Sequence, residues 1–430
     1  MLLSLVGFAV LLVICFAGFP LGWAMVLVGF AGFGIIRGFE PAFATLGQLI
    51  LDFSMNYHFS TLPLFILMGA FVYRAALAED MYDAAYAWLG SFRGGLAMTT
   101  VAACGGFAAV SGSSAATAAT MAKVALPSMR RFNYDDRLAA GSVAAGGTIG
   151  ILIPPSIALI IYGILVEEDI GKLFIAGVLP GILTVFLYII VIRIVTAIKK
   201  EWGPPGDHTN WPDRFRALGK VWGILLLFLF ILGGIYAGIF TPSEAGGIGA
   251  TGALFFAIAR KKMTWKEFYN SLVDAGKTTV FVFTVAYGAI VFSNFINIAG
   301  MPDDILKFVN DLDVPPMGVI FAILAIYVVL GAVFEGIGMI LLTVPIFFPV
   351  VQSLGFDLIW FGIVVIMVTE ISLITPPVGM NVFVLKTMLP DVSLWTIFKG
   401  IGPFFCADLI RLGLVVIFPQ IALFLPALMS

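Results

Sequence analysis

The residues with chemistry to offer are few, and they interrupt apolar runs. Ser111, Gly112, Ser113 and Ser114 break one run, and Gly146-Gly-Thr-Ile-Gly-Ile-Leu-Ile-Pro154-Pro155-Ser156 breaks the next. Further on, Phe334-Glu335-Gly336-Ile337-Gly338 and Ser372-Leu-Ile-Thr375-Pro376-Pro377-Val378-Gly379 repeat that punctuation. Proline removes a backbone donor and clashes with the preceding turn, so each Pro-Pro pair breaks its helix. Unwound backbone at membrane depth is tolerated only where protein or a water-filled cavity satisfies it. Two kinds of helix end result. Helices that begin after the tips (Ser113-Ser114 and 336–338) and after the breaks (Ser156 and Gly379) present free N–H groups, which suit a carboxylate. Helices that end near Gly150 and Ile153, and near Ser372 and Thr375, expose carbonyls that suit a hard cation such as sodium. Hydroxyls of Ser111, Ser113, Thr148, Ser372 and Thr375 add to that shell, although such small residues also serve close helix packing.

Charges also stand in apolar segments, among them Glu335, Glu370, Lys123 and Arg411. Glu335 and Glu370 are costly there, and each marks either a functional site or a contact with a neighbouring helix or subunit. Their matching positions in the first half are Ser113 and Thr148, an asymmetry that fits one asymmetric substrate between similar halves. Lys123 and Arg411 either pair with an acid or snorkel to an interface.

The elements that must position these residues are transmembrane helices. Of 430 residues, 61% are hydrophobic and 11% charged, whereas soluble chains run to about 25% charged. Apolar runs of about 20 residues recur from end to end. Cys15, Cys104 and Cys406 have no paired spacing, and His58 and His208 lack companions, so neither a disulfide framework nor a zinc site is expected. The start reads as a retained first helix, since it lacks a basic n-region. No protease or dyad motif lies at membrane depth, so no enzyme is expected. Nor is a nucleic-acid partner; the lipid bilayer surrounds the chain.

Short helices are expected at 2–18 and 22–36, an interfacial segment at 37–60 and a span at 61–78. Residues 94–127 read as a re-entrant hairpin, because each arm of about 16 residues is short for a full span. A broken helix follows at 136–166, a span at 173–198, and a polar loop at 199–220. Spans at 221–240, 244–259 and 276–299 precede a second hairpin (317–350), a second broken helix (358–389) and a last span near 401–426.

A shift of 222 residues lays Pro20 on Pro242, Pro127 on Pro349, Asp135 on Asp357 and Pro154-Pro155 on Pro376-Pro377. The chain is two copies of one unit, 1–198 and 221–430, joined by 199–220. Each unit makes an odd number of net crossings, so the second copy is inverted. Charge placement agrees. With 199–220 in the cytoplasm, basic residues crowd the inner loops and leave Arg37, Lys172 and Lys307 outside. Inverted repeats with paired broken helices describe a secondary transporter, an all-α polytopic membrane protein. Hairpins entering from both sides suit alternating access better than a channel.

In order along the chain, 106–117, Ala-Leu-Pro127-Ser-Met, Asn133-Tyr134-Asp135, the 144–156 break, Phe240-Thr-Pro-Ser-Glu-Ala-Gly246 and Thr375-Pro-Pro-Val-Gly-Met-Asn381 resemble the large membrane subunit of tripartite ATP-independent periplasmic (TRAP) transporters. The resemblance implies sodium-driven import of an organic acid: a C4-dicarboxylate, keto acid or sialic acid. It implies two partners, a periplasmic substrate-binding protein and a separate four-helix membrane subunit. It also implies an elevator motion of about 94–166 and 317–389, in a bacterial inner membrane. At least two sodium sites are expected. One would use the tip Ser111, Ser113 and Ser114 with carbonyls of Gly150, Ile153 and Pro155; the other, Gly336 and Gly338 with Ser372, Thr375 and Val378. Substrate contacts are expected from Ser113, Ser156, Glu335, Gly379 and Asn381. The competing expectation is a stand-alone divalent-anion or citrate-type sodium symporter.

Overall fold

A computed structural model describes residues 2–75, 77–311, 314–331 and 334–429. Among the described residues every regular element is helical. The two halves reproduce one helix order at the 222-residue offset. Leu21–Arg37 corresponds to Pro242–Ala259, Gly95–Ser111 to Pro316–Gly331, and Ser114–Arg131 to Gly336–Ser353. Asp136–Thr148 corresponds to Leu358–Ser372, Ile157–Val166 to Met380–Met388, and Ile170–Ile198 to Leu394–Ile417. Both Pro-Pro bonds are cis.

The halves pack by exchange. Leu21–Arg37 lies along Trp265–Ile298, while its counterpart Pro242–Ala259 lies along Thr61–Arg74. Ser114–Arg131 meets Met380–Met388, and its counterpart Gly336–Ser353 meets Ile157–Val166. Such swapped pairs are what a two-fold relation between inverted repeats produces. The loops agree. The mouth of the first hairpin meets the exit of the second broken helix through Arg130 Nη2 and Asp391 Oδ2 at 2.6 Å. The first broken helix reaches the start of the second through the Tyr162 hydroxyl, which donates to the Leu358 carbonyl at 2.6 Å.

Local chemistry starts these helices where the backbone needs them. Asp135 and Asp357, at equivalent positions, accept from the backbone N–H groups of Arg137 (2.8 Å) and Trp360 (2.9 Å). Each satisfies one of the donors a helix start leaves free. The Arg137 guanidinium holds the Asp135 carboxyl below the usual carboxylate range. Glycines set the closest approach: a Cβ on Gly29 would stand 2.8 Å from the Phe292 backbone nitrogen. Small residues are how membrane helices bring backbones together.

Residues 39–74 form two helices, Phe39–Met55 and Tyr57–Arg74, bent by 57°. Two expectations need correction. The polar loop ends early, because Trp211–Tyr236 begins with Pro212 in its first turn, where proline's missing N–H costs nothing. The 276–299 span begins at Trp265, where Thr264 caps the helix through Glu267 N at 3.2 Å. Among the described residues five helices are long and apolar enough to cross a membrane, or six with the bent pair. Much of the remaining apolar sequence lies in shorter helices such as Pro316–Gly331 and Leu358–Ser372, because tips and breaks divide it.

Candidate functional site: hairpin tips and helix breaks

The first tip is built by Gly112 at φ +60°, which ends Gly95–Ser111 and turns the chain into Ser114–Arg131. Glycine reaches that conformation without a Cβ penalty. Ser113 caps the second arm, its Oγ accepting from Ala116 N at 3.4 Å, and Ser114 is buried as the first helical residue. Thr117 closes the tip. Its Oγ1 donates to the Ser113 carbonyl at 2.8 Å and lies 2.6 Å from Ser111 Oγ.

That tip sits on the first break. A Cβ on Gly150 would stand 2.8 Å from the Ser113 carbonyl oxygen and 2.9 Å from Thr117 Oγ1; one on Gly112 would stand 3.3 Å from the Pro155 carbonyl oxygen. Among the described residues no donor reaches the carbonyls of Ile153 or Pro155. Ser156, fully buried, donates its hydroxyl to the Ile151 carbonyl and caps Ile157–Val166 through Leu159 N at 3.4 Å. Ser111, Ser113, Gly150 and Pro155 are therefore brought together, with Ile153 in the same break.

The second tip differs. Residues 332–333 lie outside the described residues. Glu335 occupies the place of Ser113 and does the same job: Oε2 accepts from Gly338 N at 3.2 Å and caps Gly336–Ser353. Gly331 and Gly336 press against the second break, at Ser372 and Thr369. Ser372 and Thr375 donate to the carbonyls of Thr369 and Ile371, both at 2.6 Å. A Cβ on Gly338 would stand 2.6 Å from Leu21 Cδ2. Val378 is 40% exposed. Gly379, at φ +60°, lies against the Thr375 carbonyl, 3.3 Å from a virtual Cβ.

Asn381 bridges the repeats. Its Nδ2 donates to the Ala144 carbonyl at 3.2 Å, while its buried Oδ1 has no partner among the described residues. Glu370 does not line an open site. It is fully buried and pairs with Arg411 at 2.8 Å, which also settles Arg411 as an acid partner rather than an interface anchor. Thr148 is buried and donates to the Ala145 carbonyl at 2.7 Å.

A cavity of about 370 Å³ opens beside the first tip. Ser111, Ser113 and Lys123 line one wall, and Arg74, Asp274 and Thr278 the other. Arg74 is engaged by Glu267 (2.8 Å) and Asp274 (3.1 Å), whereas Lys123 has no ion pair among the described residues.

Comparison with known proteins decides the family. Residues 8–421 match the model of the DctM component of tripartite ATP-independent periplasmic transporters. The chain belongs to that family. As a TRAP large permease it is 36% identical over 402 residues to the C4-dicarboxylate large permease DctM of Pseudomonas aeruginosa, covering 93% of each chain. It is 32% identical to the ectoine/5-hydroxyectoine large permease UehC of Ruegeria pomeroyi, covering 97% of each. It is 30% identical to the sialic acid large permease SiaM of Vibrio cholerae, covering 96% of each. These relatives are transport proteins. In fold, the TRAP permease resembles the YdaH transporter of Alcanivorax borkumensis, with a TM-score of 0.65 at 11% identity over 88% of both chains.

Sequence reasoning passed over Thr117, Asp408 and Tyr188. Thr117 stood in a small-residue run that reads as helix packing, and its only signal is its place one turn after the tip. Asp408 stands three residues before Arg411, a spacing that puts both on one helix face. Tyr188 gives no sequence signal.

Proposed function

We propose that this TRAP permease uses a sodium gradient to import a carboxylate-bearing small solute, of the C4-dicarboxylate, keto acid or sialic acid kind, across a bacterial inner membrane. The observation that carries the reading is the seating of the first hairpin tip on the first break. Hydroxyls of Ser111 and Thr117 and the Ser113 carbonyl gather over Gly150, beside a Pro155 carbonyl that no donor reaches among the described residues. A shell of hydroxyls and carbonyls suits a hard cation. The second break offers a related set in Ser372 and Thr375, hence at least two sodium ions.

Substrate would enter the cavity beside the first tip, with a carboxylate toward the capped helix start at Ser113. Ser156, Gly379 and Asn381 mark the other helix starts near the breaks. One cavity wall belongs to the hairpin, the other to Thr61–Arg74 and Trp265–Ile298. Sliding of the hairpins and broken helices along that second wall would carry substrate across, an elevator motion. The working assembly would add a four-helix membrane subunit and a periplasmic binding protein.

Proteoliposomes containing the permease and its small subunit, supplied with the binding protein, test this. Labelled substrate accumulates when sodium is higher outside and stops when the gradient is collapsed. Uptake indifferent to sodium overturns the coupling; full uptake of free substrate overturns the tripartite assembly.

A further inference from the structure

The second break is backed by a buried ion network that the transport reading leaves without a role. Arg411 Nη2 stands 2.8 Å from Glu370 Oε2 and 3.1 Å from Asp408 Oδ1, and none of the three side chains is more than 1% exposed. Arg411 Nη1 donates to Thr184 Oγ1. Tyr188 donates its hydroxyl to Asp408, 2.8 Å from each carboxylate oxygen. The network joins three helices: Leu358–Ser372 through Glu370, Leu394–Ile417 through Asp408 and Arg411, and Ile170–Ile198 through Thr184 and Tyr188.

Burying charge is expensive, and apolar residues of similar volume often stabilise a core equally well. What an apolar contact does not supply is direction. The planar guanidinium is a rigid fork: Nη2 sits between the Glu370 and Asp408 carboxylates while Nη1 donates to Thr184, so one group ties three helices at fixed separations. The element held is the end of Leu358–Ser372, where Glu370 lies two residues before Ser372. Its carbonyl and that of Thr369 share the Leu373 N–H, each at 3.2 Å. Rotating this helix end therefore re-aims the oxygens of Ser372 and Thr375 together. The first repeat has Thr148 in place of Glu370; its hydroxyl donates to the Ala145 carbonyl within its own helix and also meets Tyr188, so the guanidinium grip itself falls on the second break.

We propose that Arg411 is a positioning residue: by gripping Glu370 it sets the rotation of Leu358–Ser372 and aims the oxygens of the second break at their cation. This rests on the sodium reading above. Sodium titrations of uptake in the same proteoliposomes separate the two. A sodium-independent wild type overturns the sodium reading and this inference with it; a sodium-dependent wild type leaves positioning to be judged alone.

Arg411→Lys keeps the charge but loses the fork. It raises the sodium concentration for half-maximal uptake about tenfold, as loss of a residue behind a metal ligand does, with maximal uptake and melting temperature close to wild type. Glu370→Ala shifts it in the same direction, and Glu370→Gln, which keeps an acceptor for Arg411, restores most of the affinity. Thr184→Val, which removes only the hydroxyl holding Nη1, gives a smaller shift and covers the case in which Arg411→Lys does not fold. Wild-type sodium half-saturation in folded Arg411→Lys or Thr184→Val overturns the proposal. So does a Glu370→Gln variant no better than Glu370→Ala.

Discussion

At the scale of the residue, the proposed sodium site relies on oxygen atoms held by neighbours rather than on charge. Thr117 shows it. A threonine in a run of alanines looks like packing, yet its hydroxyl ties Ser111 to the Ser113 carbonyl and faces Gly150. Thr117→Val keeps the shape and removes the oxygen, so sodium half-saturation should rise about tenfold with little change in folding; an unchanged sodium titration would remove Thr117 from the shell. Gly150→Ala should be harsher, because its Cβ meets a backbone carbonyl at 2.8 Å and the tip must lift. The two glutamates make the complementary point. Both were legible as costly charges in apolar sequence, but the structure gives them different work. Glu335 caps a helix, and Glu370 joins an ion network. Sequence could flag the cost without naming the partner, since Glu370 and Arg411 are 41 positions apart.

At the scale of the element, helix ends decide more than helix middles. Tips and breaks were readable because proline and glycine act on their own backbone, and that effect needs no tertiary contact. Where elements start at the surface was less readable. Trp211–Tyr236 and Trp265–Ile298 both extend beyond their apolar stretches into polar sequence, where hydropathy carries no signal. Packing between elements adds a second constraint. Leu394–Ile417 lies against Asp136–Thr148 with Gly400 on the Arg137 carbonyl and Gly141 on the Gly400 carbonyl. Gly400→Ala has no flexible side chain to displace there. It should force the helices apart and cost about 1–3 kcal/mol, as overpacking does, read as a lowered melting temperature in detergent. A melting temperature equal to wild type would mean the seam relaxes freely.

At the scale of the whole molecule, inversion is the organising fact. Exchange packing and the crossed loop contacts place the first hairpin mouth beside the second broken helix exit. The ion pairs Arg130–Asp391, Lys220–Asp83 and Arg260–Asp80 join segments whose basic residues belong inside by the positive-inside rule. Single cysteines in a cysteine-free background test the orientation. A cysteine at exposed Asp207 should react with an impermeant maleimide only in inside-out vesicles, and one at exposed Lys307 only in right-side-out ones. Labelling of both from one side would contradict the inverted arrangement.

The sequence by itself determined the repeat, the two breaks, the two tips and the family, because each is written in local backbone chemistry or in the order of short motifs. Only the tertiary structure decided which oxygens meet. Thr117 over Gly150, Asn381 on Ala144, Glu370 on Arg411, and Gly338 against Leu21 are contacts between separate elements. Their existence depends on how helices rotate and cross, and helix rotation is set by the summed packing of both repeats.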